Sequence, residues 1–123
     1  MAQETGVVNE KLEAIIALSL VNGAQLDCII DTGFDGTIML PRSFVDEFGL
    51  TSEGSELFQS VSDEAPFIAE KVTVGVNWLG QQFDASGVVS ETGFALIGTE
   101  LLIDCRLMID YVNFSVLVEK INF

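Results

Sequence analysis

The sequence predicts a small all-β barrel or sandwich with one or two short helices. Apolar residues fall in many short runs closed by Gly, Asn, Asp or Pro, the pattern of strands joined by tight turns. Only two stretches carry helix signals, and both are short. The chain has 123 residues, with no repeat and no linker, so it forms one domain.

Taken in order, Ala14 to Val21 reads as a strand. Asn22-Gly23 is a strong hairpin signal, and a second strand runs from Gln25 to Ile30. This hairpin delivers Asp31. Gly33 and Gly36 punctuate a tight loop, after which Thr37-Ile38-Met39-Leu40 resumes as a strand ending at Pro41. Pro41 suits the first turn of a helix, Arg42 to Phe48, stopped by Gly49. Leu57 to Val61 and Phe67 to Val76 form a long hairpin around the polar tip Ser62-Asp63-Glu64. A turn near Leu79-Gly80 leads to a strand from Gln82 to Val89, a loop at Glu91-Thr92-Gly93, and the apolar run Phe94-Ala95-Leu96-Ile97. Gly98 ends that run. Thr99-Glu100-Leu101-Leu102 then opens a helix with a hydroxyl cap and an acid in its first turn. Leu107 to Asp110 and Phe114 to Val118 make the last hairpin, around Tyr111-Val112-Asn113.

Composition narrows the function. Apolar residues make up 49% of the chain and nine residues are Phe, enough for a single core. Nineteen acidic side chains against five basic ones give a formal charge of -14, which repels nucleic-acid phosphates and anionic membranes. No apolar stretch approaches the roughly 18 residues that span a bilayer, and Met1-Ala2-Gln3-Glu4-Thr5 has no basic-then-apolar leader pattern. The expectation is a cytoplasmic protein with no nucleic-acid or membrane partner. Cys28 and Cys105 match no metal or redox spacing and read as small hydrophobes in a reducing compartment. Trp78, beside Leu79, reads as a partly buried anchor of a turn. Histidine is absent, which removes histidine-based triads and imidazole zinc sites. Any acid/base chemistry here is carboxylate chemistry, with no cofactor and no metal.

Asp31-Thr32-Gly33 is the informative motif, because it ends the apolar run Cys28-Ile29-Ile30 with a carboxylate. An ionised carboxylate at the mouth of a buried strand is costly unless it is compensated, so a fold that keeps one there has a use for it. A turn at a strand end also accommodates Asp and Gly. A calcium loop fits poorly, since Gly33 stands at its third position and Arg42 at its twelfth, where oxygen ligands are needed. A phosphatase of the haloacid-dehalogenase type needs an aspartate where Gly33 stands.

Ile29-Ile30-Asp31-Thr32-Gly33, with its strand restart through Gly36-Thr37 and Pro41 soon after, resembles the retroviral-type (retropepsin-like) aspartic proteases, in particular their small bacterial relatives. Leu96-Ile97-Gly98-Thr99-Glu100-Leu101-Leu102, about sixty residues later, resembles the second element of that family, and Met108-Ile109-Asp110-Tyr111 follows in the family's order. The resemblance covers roughly residues 12 to 119. It implies a small closed barrel over residues 12–123, with residues 1–11 an N-terminal extension whose order the pattern leaves open. The implied activity is aspartic endopeptidase cleavage of a peptide or protein substrate, by water activated between two aspartates. One chain carries one Asp-Thr-Gly, so the second carboxylate has to come from a second copy, and a homodimer follows.

On this resemblance Asp31 is catalytic, Thr32 grips the facing loop and Gly33 leaves room for the water. Phe34, Asp35, Ser62, Asp63 and Ile97 are the implied substrate contacts. Three departures stand out. The flap of retroviral members has a glycine-rich tip, and Val61-Ser62-Asp63-Glu64-Ala65-Pro66 has none. Phe34 is bulky where the family often has Ala or Ser, and is expected to fill part of the cleft. Thr99 replaces an arginine that in retroviral members braces the acidic residue matching Asp35, leaving Asp35 to solvent, to Arg42 or to Arg106. The alternative function is a catalytically inactive dimeric β-barrel that binds peptides or supports assembly.

Overall fold

The computed structural model describes residues 2–58, 67–91 and 93–121. Among the described residues ten strands form one sheet: β1 (Gln3–Val8), β2 (Ala14–Leu20), β3 (Gln25–Ile30), β4 (Ile38–Pro41), β5 (Ser52–Phe58), β6 (Phe67–Trp78), β7 (Gln81–Ser90), β8 (Leu96–Ile97), β9 (Cys105–Asp110) and β10 (Ser115–Lys120). The order β5-β6-β7-β4-β8-β3-β2-β1-β10-β9, with a further β6–β2 pairing, closes β2, β3, β8, β4, β7 and β6 into a ring. Two pairings in the ring are parallel, β3 with β8 and β4 with β7. The all-β barrel expected from the sequence is present.

The core follows strand alternation. Ile16, Leu18, Leu20, Cys28, Ile38, Leu40, Val72, Val76 and Ile97 point into the ring and are at most 3% exposed. Trp78 is buried outright, and its indole N–H donates to Leu101 O at 3.0 Å. It therefore ties the end of β6 to the 3₁₀ helix Thr99–Leu102. Leu79 and Gly80 have φ of 51° and 77°, the left-handed pair of a two-residue hairpin turn.

Two connections differ from the sequence-based expectation, each for a physical reason. The first hairpin does not turn on Asn22-Gly23 alone. Val21 leaves the hairpin and donates its N–H to Gly75 O in β6, which helps close the ring. The connection therefore spans residues 21–24, with Leu20 N–H bonded to Ala24 O and Asn22 Oδ1 accepting from Ala24 N–H. The resulting register sets Ile15 against Ile29 and Ile16 against Cys28. A two-residue turn would have paired Val21 with Ala24 and shifted every partner by one.

The second difference is at residues 1–11, set apart as an extension by the sequence. They carry β1, which pairs with β10 over five residues and with β2 over two. Gln3 to Val8 has no clean apolar alternation, so its strand is made by partners distant in sequence. Glu4 adds a tie, its Oε2 accepting from Leu79 N–H at 2.9 Å.

α1 (Arg42–Glu47) follows Pro41, which serves as its N-cap residue. It ends where Gly49, at φ 61°, donates to Asp46 O while Leu50 N–H bonds Val45 O. These two bonds satisfy carbonyls the last turn would otherwise leave open. The helix at Thr99 carries no hydroxyl cap. Its N-cap is Gly98, without a side-chain bond, and Thr99 Oγ1 turns to Phe34 O at 3.4 Å. Among the described residues no helix is long and apolar enough to cross a membrane.

Candidate active site

Asp31 follows directly on β3, where parallel pairing with β8 fixes the chain. Its N–H donates to Ile97 O at 2.9 Å. Its Oδ1 accepts from Gly33 N–H at 2.9 Å, and its carbonyl accepts from Phe34 N–H at 3.1 Å. The carboxylate is thus anchored on one oxygen by its own loop, and the residue is half-buried.

The loop is locked to the segment after β8. Gly98 N–H donates to Thr37 O, Thr99 N–H to Phe34 O and Glu100 N–H to Gly36 O. The Thr37 hydroxyl donates to Glu100 Oε2 at 2.6 Å. This crossing needs glycine. A Cβ on Gly98 would fall within the contact distance of Gly36 O, and one on Gly36 would press on the Phe34 ring. The two motifs singled out in the sequence are therefore one structural unit.

The other site residues divide. Thr32 is exposed, and its hydroxyl makes no hydrogen bond among the described residues. Phe34 does not open into a cleft: it is 2% exposed and packs with Ala69 and Val88, as a plug between the loop and β6–β7. Ile97 is fully buried, and its carbonyl accepts from the Asp31 N–H. Asp35 is exposed, and neither suggested arginine meets it. Arg42 instead bridges Glu70 at 2.6 Å and Glu91 at 2.9 Å, while Arg106 pairs with Glu119 at 3.3 Å. Ser62 and Asp63, expected from the sequence at a hairpin tip, lie outside the described residues. Among the described residues no group of three Cys, Asp or Glu side chains is arranged to hold a metal ion. Burial pushes the Cys28 thiol up to about 12, with Asp27 adding to the effect, so it stays a protonated core side chain. Cys105 is only partly buried.

A cavity of about 340 Å³ opens beside Asp31, lined also by Glu13, Ile29, Ile30, Phe94 and Leu96. Glu13 and Phe94 were not singled out in the sequence. The signal for Glu13 is the hairpin register: continuing Ile15 against Ile29 by two residues sets Glu13 opposite Asp31. A two-residue turn at Asn22-Gly23 would have put Ala14 there, so the residue is legible only once the turn is known.

Among solved structures, a retropepsin-like aspartic protease from Rickettsia conorii superposes with a TM-score of 0.67 at 18% identity, over 96% of this chain and 90% of that one. The retroviral protease-like domain of Ddi1 from Leishmania major gives 0.53 at 14% identity, over 89% and 94%. The foamy viral protease-reverse transcriptase, solved in complex with an RNA/DNA hybrid, gives 0.53 at 15% identity, over 72% of this chain and 11% of that longer one. No family model matches the sequence, and no curated protein matches it significantly. The chain has the fold of the retropepsin-like aspartic proteases.

Proposed function

We propose that this chain is one subunit of a homodimeric aspartic endopeptidase, with Asp31 from each copy forming the catalytic pair. The observation that carries the reading is Asp31 itself: a half-buried carboxylate held by the Gly33 N–H in a loop locked to the segment after β8, within a retropepsin-like fold. Two such carboxylates facing each other share one proton. The ionised one takes a proton from water as the oxygen attacks the peptide carbonyl. The protonated one gives its proton to the carbonyl oxygen, forming a tetrahedral diol. Collapse of the diol, with a proton delivered to the amide nitrogen, breaks the C–N bond. Thr32, exposed in the single chain, is the group available to bond the facing loop. The reading needs no cofactor or metal, and its substrate is a peptide or an unfolded protein in the cytoplasm.

The test is cleavage of an unfolded protein by the wild type and by Asp31→Asn. Cleavage that disappears in the variant supports the proposal. Binding of peptides without cleavage by either protein would instead assign the inactive peptide-binding role, and cleavage that survives Asp31→Asn would overturn the dyad.

A further inference from the structure

We infer that Glu13 forms a subsite beside Asp31 that takes a basic side chain of the substrate, lysine or arginine. The inference rests on the peptidase reading of Asp31 and names the substrate class for that site.

The cavity next to Asp31 has mixed walls. Ile29, Ile30, Phe94 and Leu96 make it apolar along most of its length, and Glu13 adds a carboxylate. Its volume of about 340 Å³ falls in the range of small-ligand sites, enough for one long side chain. Glu13 is held in place before any ligand arrives. Asn9 Nδ2 donates to Glu13 Oε1 at 2.9 Å, Asn9 Oδ1 accepts from Glu13 N–H at 2.9 Å, and Asn9 N–H bonds Glu13 O at 3.0 Å. The second oxygen, Oε2, makes no hydrogen bond among the described residues, and no cation pairs with Glu13 there. A site oriented in advance loses little freedom on binding.

Three classes of side chain can be compared in this cavity. A wholly apolar one would strip water from the Glu13 carboxylate and return nothing. An acidic one would meet like charge from Glu13 and from a chain of formal charge -14. Lysine or arginine lays its methylene stem along Phe94 and Leu96 and brings its charged head to Glu13. Asp31 does not serve this purpose, because its carboxylate is committed to the shared proton and the water.

The test uses a series of fluorogenic peptides identical except for Lys, Met or Glu at each position flanking the scissile bond. Cleavage is read with the wild-type chain, and binding of the same peptides is read by fluorescence anisotropy with Asp31→Asn. At one position the wild type is expected to prefer Lys over Glu by roughly tenfold in kcat/KM, the size of a partly shielded charge pair. Glu13→Gln keeps the acceptor for Asn9 and is expected to bring this ratio close to one. Glu13→Lys is expected to invert it, a gain that misfolding cannot produce. The same changes should appear in binding when each is combined with Asp31→Asn. A Lys/Glu ratio that neither Glu13 variant alters overturns the inference, while the peptidase reading stands on cleavage abolished by Asp31→Asn. A binding preference that depends on Glu13 without any cleavage supports the subsite and overturns the peptidase reading. Absence of both cleavage and binding overturns both.

Discussion

At the scale of single residues, Gly98 is the most constrained position near the site. The atom a side chain would meet there is the backbone oxygen of Gly36, which cannot turn aside as a flexible side chain would. Gly98→Ala should therefore destabilise the fold by about 1–3 kcal/mol, read as a lower denaturant midpoint; an unchanged midpoint would show that the crossing can open without loss. Thr32 makes the opposite kind of prediction, since it is exposed and its hydroxyl makes no hydrogen bond among the described residues. If its hydroxyl bonds across a two-fold axis, Thr32→Ala removes two symmetry-related bonds of roughly 1 kcal/mol each, or about 30-fold in dimer dissociation. Thr32→Ser keeps the hydroxyl and should change it little. Equal behaviour of the two variants in a dissociation assay would reduce the motif to an ordinary turn. The place of Asp31 at the end of β3 was legible in the sequence because a carboxylate closes an apolar run there. The burial of Phe34 was not, because it depends on Ala69 and Val88, far away in the chain.

At the scale of elements, Arg42 links three pieces: the start of α1, β6 through Glu70, and the segment after β7 through Glu91. The Glu70 carboxyl lies below its ordinary value of 4.5, chiefly because Arg42 hydrogen-bonds it and secondarily because Ser52 does. A carboxyl lowered in the folded state contributes its stability above the unfolded value and loses it as pH falls through the folded one. Arg42→Ala should thus be less stable than wild type at neutral pH, with the gap closing in acid below that range. Thermal melts of both proteins across the acid range check this, and a gap independent of pH would mean the pairing contributes nothing. β2, β3, β4, α1 and β6 to β10 were readable because each carries its own apolar alternation or turn residues. β5 was harder to read. It begins at Ser52, through the polar run Ser-Glu-Gly-Ser-Glu, and bulges where Gly54 adopts φ 106°, so its strand is imposed by β6.

At the scale of the whole molecule, the proposed dimer brings together two chains of formal charge -14. Like-charged copies repel, so added salt near neutral pH should tighten the dimer by screening. Sedimentation at low and moderate ionic strength reads this, and a monomer at high micromolar concentration with full peptidase activity would remove the two-copy site altogether. Activity should also be higher in acid than at pH 8, because the pair works only while one proton is shared. A rate that is flat or rises toward alkaline pH would count against it. By itself the sequence determined the all-β class, the carboxylate that ends β3 and the exclusion of histidine chemistry, since each follows from residue types or local periodicity. Only the tertiary structure decided that residues 3–8 join the sheet, that Val21 leaves its hairpin to bond Gly75, and that Glu13 rather than Ala14 lies beside Asp31. Those outcomes depend on hydrogen bonds between segments distant in sequence and on a hairpin register that the connection over residues 21–24 sets and a two-residue turn would have shifted by one.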